Sequence, residues 1–258
     1  MKLGGSVVTR KERPLTPDLP AIERLAGEVA EADSRPLIVV HGGGSFGHYV
    51  AREYAIMDGY RDPSQLMGFS KTRQAMVALN RLIVDALIRH DLPAVSVQPS
   101  ANLITRGGRI FDLQLEPIER LLNLGFVPVM YGDAVLDSEL GFTILSGDQL
   151  TSHLAIELGA HKAVIGVDVD GLYTEDPKTS PEAKLIETIT LRNLREYVHG
   201  IGGARTTDVT GGMFGKIMEL MPAVERGVEV RIVNAKRPGV LYKALKGEEV
   251  KGTTITGG

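Results

Sequence analysis

Three stretches of this chain set glycine beside lysine, serine or histidine, a pairing suited to holding phosphate. Lys2 precedes Gly4-Gly5-Ser6. The run His41-Gly42-Gly43-Gly44-Ser45-Phe46-Gly47-His48 adds a serine and a histidine. Thr210-Gly211-Gly212-Met213-Phe214-Gly215-Lys216 ends on a lysine. Glycine allows a backbone to come very close to a ligand. A strand that turns through glycine into a helix presents unpaired N–H groups and the positive end of the helix dipole, which together cradle an anion. Leu37–Val40 reads as that strand ahead of the second run. Three such glycine turns predict a place where two phosphorylated molecules meet.

Other glycine motifs fit less well. Gly42, Gly44 and Gly47 satisfy Gly-x-Gly-x-x-Gly, but a dinucleotide site needs a second strand ending in an acidic residue about 20 positions on. Residues 49–62 hold Glu53 and Asp58 without an apolar strand run. A P-loop needs Ser or Thr after Gly-Lys. Here Ile217 follows Lys216, and Thr210 stands in the place of the first glycine. Any one turn is also explained by glycine tolerating an awkward φ; three turns with attached side-chain donors are not. Lys11, in Thr9-Arg10-Lys11-Glu12-Arg13, reads locally as a solvated lysine. Asp133 and Asp148 each follow glycine, with a turn and a helix cap as their ordinary roles. His90, His153, His161 and His199 have no partners at metal-ligand spacing.

The elements that must position these residues alternate along the chain. Leu19, Ile22, Leu25, Ala26 and Val29 repeat at helical spacing over 18–32. Met76, Leu79, Ile83, Ala86 and Leu87 line one face of a long helix that ends near His90. Strands are expected at Ala94–Val97, Val127–Met130, Ala163–Val167, Val228–Val233 and Thr253–Thr256, with Arg109–Asp112 as part of a hairpin beside the first. Helices are expected at Ile118–Leu124, after Asp148 as a cap, and across Ile217, Leu220, Met221 and Val224. Apolar strands alternating with helices predict an α/β fold on a mostly parallel sheet.

Composition narrows the function. The 258 residues suffice for one large α/β domain or two lobes sharing a sheet, with a soft boundary near residue 160. A net charge of −3 offers no basic field for nucleic acid. Cysteine is absent, which excludes disulfides, thiolate metal sites and a cysteine nucleophile. No apolar run approaches the roughly 20 residues of a membrane span, and no signal-peptide core follows Met1. A cytoplasmic protein is expected.

Taken together, Lys2-Leu3-Gly4-Gly5-Ser6, the His41–His48 run, Ser146-Gly147-Asp148, Gly166–Tyr173 and Thr210–Lys216 resemble the amino acid kinase superfamily over essentially the whole chain. Within it the Gly-Gly-Gly-Ser-Phe-Gly-His run is similar to that of the isopentenyl phosphate kinases. The resemblance implies a three-layer αβα sandwich, with residues 1–160 as an acceptor-binding lobe and 161–258 as a nucleotide-binding lobe. It implies that Lys2, Gly4, Gly5, Ser6 and Gly44 meet the ATP phosphates. Asp168, Asp170, Tyr173, Gly212 and Lys216 would hold nucleotide. Gly43, Gly44, His48, Gly147 and Asp148 would receive the acceptor phosphate, and Lys2, Lys11, His48 and Lys216 would carry catalysis. ATP with Mg²⁺, an isopentenyl phosphate substrate and a homodimer are the implied partners.

The chemistry of such a transfer suits these residue types. A phosphate-monoester oxygen is already anionic, so no general base is needed. The obstacle is repulsion: two unit charges about 4 Å apart cost on the order of 4 kcal/mol at an effective dielectric near 20. Cations and oriented N–H groups offset it. An isoprenoid tail needs an apolar slot, for which Met67, Phe69, Met76, Leu79, Ile83 and Ile144 are candidates, against the plainer reading that most of them are core. Alternatives are a kinase for another phosphate or phosphonate, of fosfomycin type or a nucleotide monophosphate, a non-catalytic nucleotide-binding regulator, and a dinucleotide oxidoreductase.

Overall fold

The computed structural model describes residues 1–10, 12–177, 179–193 and 209–257, with 209–211 as backbone only. Strand β1 (Lys2–Leu3) runs into the short helix α1 (Gly5–Val8), and α2 (Leu19–Ala32) leads to β2 (Val39–His41). Helix α3 (Gly44–Glu53), a 3₁₀ turn at Ile56–Asp58 and the long α4 (Gln65–Arg89) precede β3 (Ala94–Ser96). Then come α5 (Pro99–Asn102), β4 (Leu103–Arg106), β5 (Arg109–Leu113), α6 (Glu116–Asn123), β6 (Val127–Tyr131), β7 (Asp133–Asp137), β8 (Gly141–Leu145), α7 (Gly147–Glu157) and β9 (Lys162–Val167). The remaining elements are β10 (Leu172–Tyr173), β11 (Leu185–Ile186), β12 (Thr188–Thr190), α8 (Val209–Glu225), β13 (Glu229–Asn234), α9 (Val240–Lys246) and β14 (Gly252–Thr256).

The main sheet has eight strands in the order β12-β14-β13-β9-β1-β2-β6-β3. Its neighbours run parallel except β13 with β14. The strands are apolar on both faces because helices cover both. Val39, Val129, Tyr131 and Val164 pack with α2 and α4 on one side. Their chain neighbours Val40 and Met130 pack with α6 and α7 on the other, and Ile165 packs there with α8. Alternate residues thus serve opposite layers, as the period of a strand requires. Each such side chain contributes about 1.5–3 kcal/mol through burial. This is the expected αβα sandwich.

From β1 the chain winds to β2 on one side, whereas from β9 it winds to β13 on the other. Between them the order reverses, and it is outside the carboxyl ends of the strands at such a switch point that an open α/β sheet binds ligands. Register sets Lys2 opposite Val40 on one flank and Ile165 on the other, and Gly4 N–H donates to Gly166 O at 2.8 Å.

Several expectations change. The strand placed at Leu37–Val40 forms at Val39–His41, because pairing with β1 ends there. The hairpin containing Arg109 does not lie beside β3; it belongs to a second sheet, β5-β4-β7-β8, that the sequence reading did not anticipate. Asp137 anchors that hairpin's tip, accepting from Gly107 N at 3.1 Å, Gly108 N at 2.8 Å and Thr105 Oγ1 at 2.8 Å. Asp148 does not cap α7; Ser146 does, its Oγ accepting from Asp148 N at 3.1 Å. Thr210–Lys216 is not a turn but the beginning of α8.

Candidate active site

Glycine is required where the segments after β1 and β2 touch. A Cβ on Gly42 would lie 2.7 Å from Gly5 N, and one on Gly5 would overlap the Gly44 backbone. Gly44 itself has φ +48°, a left-handed conformation that glycine adopts without strain. Thr9, which the sequence reading passed over, ties the segments: its hydroxyl donates to Gly5 O at 2.7 Å and accepts from Ser45 N at 2.9 Å. The starts of α1 and α3 therefore abut. Gly147, which opens α7, belongs to the same floor: a Cβ there would lie 3.3 Å from both His41 O and Lys2 Cε. Three helix starts meet at the carboxyl ends of β1, β2 and β6.

The cations converge on this floor. Lys2 Nζ lies 2.5 Å from Asp148 Oδ1, and Lys216 Nζ lies 2.7 Å from Asp148 Oδ2. Burial draws the Lys2 ammonium down to about 8, with Lys216 adding to the effect and Asp148 opposing it. Burial alone would raise the Asp148 carboxyl, but the two ammonium groups hold it below its ordinary range. His48 is an exposed residue one turn into α3 from Gly44. Below the loop, His41 is fully buried and stacks on Tyr131 at 5.2 Å. Its Nε2 lies 3.2 Å from Asn80 Nδ2 and its Nδ1 3.2 Å from Gly42 O. An amide NH₂ donates and a carbonyl accepts, so the neutral ring carries its proton on Nδ1. Burial lowers the His41 pKa to about 4, so it acts as a fixed prop and not as a proton carrier.

At the end of β9, Asp168 is half-buried and Asp170 buried. The Asp170 carboxylate is turned to Asn234 Nδ2 at 2.9 Å, Lys251 Nζ at 2.9 Å, Arg237 at 3.0 Å and Tyr173 Oη at 3.3 Å. It therefore draws β9, β10, β13 and the segment before β14 together. Gly212 is exposed on α8, with nothing within 4 Å of an added Cβ. Ser6 is partly buried in α1. Lys11 lies outside the described residues, as does the side chain of Thr210. Asp133 is buried with Arg73 Nε 3.6 Å from Oδ2, and burial lifts its carboxyl to about 6.

Of the residues expected to line a tail slot, Met76, Leu79 and Ile83 are core, all within 2 % of full burial. Met76 instead packs under the glycine run: a Cβ on Gly43 or Gly47 would lie 3.1 Å from its sulfur. Met67 is exposed. Phe69 and Ile144 remain partly buried and join Ala51, Ile56, Ala134 and Phe142 in a small apolar cluster beside α3 and β8.

The sequence pattern of the amino acid kinase family matches residues 1–234. The chain belongs to the amino acid kinase family. Its relatives within this family agree with the motif resemblance at full length. The chain is 44% identical to the isopentenyl phosphate kinase of Methanothermobacter thermautotrophicus, over 100% of this chain and 98% of the relative. It is 36% identical to the isopentenyl phosphate kinase of Methanocaldococcus jannaschii, over 99% and 97%. A solved isopentenyl phosphate kinase structure superposes with a TM-score of 0.87 at 42% identity, covering 99% of this chain and 98% of that one. Lysines and helix starts gathered at one place are the groups that can offset charge in a phosphoryl transfer.

Among the described residues, no group of three or more His, Cys, Asp or Glu side chains is arranged to hold a metal ion. None of the described helices is long and apolar enough to cross a membrane.

Proposed function

We propose that this protein transfers the γ-phosphoryl group of ATP to isopentenyl phosphate, giving isopentenyl diphosphate and ADP. The observation that carries the reading is the convergence of Lys2 and Lys216 on Asp148, where three glycine-led helix starts meet. That its full-length relatives are isopentenyl phosphate kinases selects the acceptor from the many that this family's fold could take.

In this reading residues 161–258 hold ATP and residues 1–160 hold the acceptor. Lys2 and Lys216, with the N–H groups of Gly4, Gly5, Ser6 and Gly44, meet the phosphates. Asp168, Asp170, Tyr173 and Gly212 form the nucleotide side. His48 donates to a non-transferred oxygen of the acceptor, and Gly43, Gly44 and Gly147 close around it. Asp148 holds both lysines until phosphate oxygens replace it. Lys11 is assigned to the transition state by resemblance alone.

Because the attacking oxygen is already an anion, these groups only offset repulsion and fix an in-line approach. Mg²⁺ would supply further charge neutralisation and would be held mainly through the ATP phosphates. The C5 tail lies against Phe69 and Ile144. A cytoplasmic homodimer completes the reading, the dimer being checked by light scattering.

An ADP-release assay with Mg-ATP over C5, C10 and polar phosphates tests it. Preferred turnover of the C5 phosphate is expected. Preference for a polar acceptor overturns the substrate, and ATP binding without transfer to any acceptor overturns the enzyme.

A further inference from the structure

A closed circuit of polar links joins the β4–β5 hairpin, α7 and α8, and part of it lies outside the site just described. Consecutive residues of α7 face two ways. Asp148 takes Lys216 of α8 at 2.7 Å. Gln149 takes the hairpin, with Oε1 accepting from Ile110 N at 2.9 Å and Nε2 donating to Gly108 O at 3.1 Å. The hairpin then reaches α8 directly: Arg109 donates to both Glu219 oxygens, at 2.7 and 2.8 Å.

We infer that the Arg109–Glu219 pair is a latch that sets the position of Lys216 for the nucleotide phosphates. The inference rests on the reading that Lys216 meets ATP.

Three observations support it. Glu219 follows Lys216 by three residues, so both lie on one face of the helix, and the roll that seats one seats the other. Hairpin and helix leave a solvent-open cleft of about 90 Å³ at the pair, lined by Arg109, Ile110, Gln149, Ser152, Glu219 and Pro222 among others. Both elements are held by α7, and the ion pair is the direct polar link that spans the opening between them. Pro222 lies inside α8 and removes the N–H that would bond to Met218 O, so the helix lacks one backbone hydrogen bond next to Glu219, while Ile217 and Leu220 hold its apolar face in the core. The latch holds the polar face of that same stretch.

The Arg109 side chain is 58% exposed and that of Glu219 26%, so the pair adds little to global stability. That separates a positioning role from a folding role. Arg109→Ala, Glu219→Ala and the double variant are to be compared with the parent by steady-state kinetics, calorimetric titration with Mg-ATP and thermal unfolding. For either single variant, ATP binding should weaken and KM for ATP rise, each about two- to fivefold, the scale of one partly exposed ion pair. KM for isopentenyl phosphate should stay within about twofold and the unfolding midpoint within about 2 °C. The double variant should be no worse than the singles, and Arg109→Lys should recover part of the loss.

Unchanged ATP affinity in Arg109→Ala, additive single effects, or a loss that follows the unfolding midpoint or the acceptor KM each overturns the latch. Titration with Mg-ATP needs no acceptor, so the latch can fail while the substrate assignment stands. A parent that does not bind ATP would instead overturn the reading of the site.

Discussion

Lys2 and Asp148 face each other at 2.5 Å, with side chains only 4% and 11% exposed, on the floor where β1, β2 and α7 meet. A pair this buried is costly to break from one side, because the remaining charge has no water to solvate it. Lys216 completes the arrangement from α8. On the proposed reading, Asp148 occupies at both lysines the place that phosphate oxygens take during reaction. Asp148→Asn keeps the shape and removes the charge, leaving two ammonium groups facing each other. The variant should lose about 3–5 kcal/mol of stability, as expected for breaking a buried pair. It should lose turnover by about 10²- to 10³-fold, the range for a removed preorganised group. Mg-ATP should restore part of its unfolding midpoint, since phosphate supplies the missing charge. Turnover within tenfold of the parent would remove Asp148 from the mechanism.

The same burial gives activity and stability opposite pH trends. Lys2 is drawn from 10.5 to about 8, so the charge it offers to phosphate is lost as pH rises past about 8. The logarithm of kcat/KM should fall there. For stability the sign reverses. Between about 8 and 10.5 the unfolded chain holds a proton on Lys2 that the folded chain has released, so this group's contribution rises with pH. Below about 8 both states are protonated and the burial penalty is fully present. A pH–rate profile paired with denaturant titrations checks both limbs. A flat kcat/KM from pH 7.5 to 9.5 would exclude Lys2 as an essential cation.

Contact between the glycine segments makes a steric prediction. A methyl group on Gly5 would run into the Gly44 backbone, which has no free direction to move because Thr9 pins it. Gly5→Ala should separate α1 from α3, with a stability cost of about 1–3 kcal/mol or more for overpacking and loss of ATP binding. Gly215→Ala is the control: its methyl meets nothing within 4 Å, and alanine favours a helix over glycine by about 0.8–1 kcal/mol. Unfolding midpoints and calorimetric ATP titration separate the two. Equal behaviour would mean that the Gly5–Gly44 approach is not needed.

Much of this site could be read from sequence because glycine next to lysine, serine or histidine is a local signal. Gly4-Gly5 and Gly42–Gly44 stand where the backbone needs them, and the strands before them are apolar because both sheet faces are covered. What escaped was either ambiguous or remote. Ser146 and Asp148 are both good caps two residues apart, and only geometry shows that the serine caps while the aspartate turns to lysine. The second sheet was hidden because β7 and β8 are five residues each, joined by an acidic turn that reads as loop. The stretch Thr210–Lys216 carries turn-like glycines, yet its helix is fixed further along by Ile217, Leu220 and Val224, which are buried against β13 and β9. Arg109 and Glu219 are 110 positions apart, and no periodicity connects them.

His48 offers the sharpest division between binding and chemistry. It is exposed on α3, one turn from the glycine that starts the helix, so its removal opens no cavity in the core. The unfolding midpoint of His48→Ala should match the parent's. If His48 donates to the acceptor phosphate, its loss costs one hydrogen bond to a charged group, about 1.5–3 kcal/mol, or roughly 10- to 150-fold in kcat/KM for isopentenyl phosphate. KM for ATP should change little, because the nucleotide lies on the other side of the transferred group. His48→Gln keeps an N–H donor and should recover part of the loss. No proton is removed by the side chain in this chemistry, so both variants should retain the parent's pH dependence above pH 7. A His48→Ala enzyme with parental turnover, or one whose defect appears in ATP affinity, would take His48 out of the acceptor site.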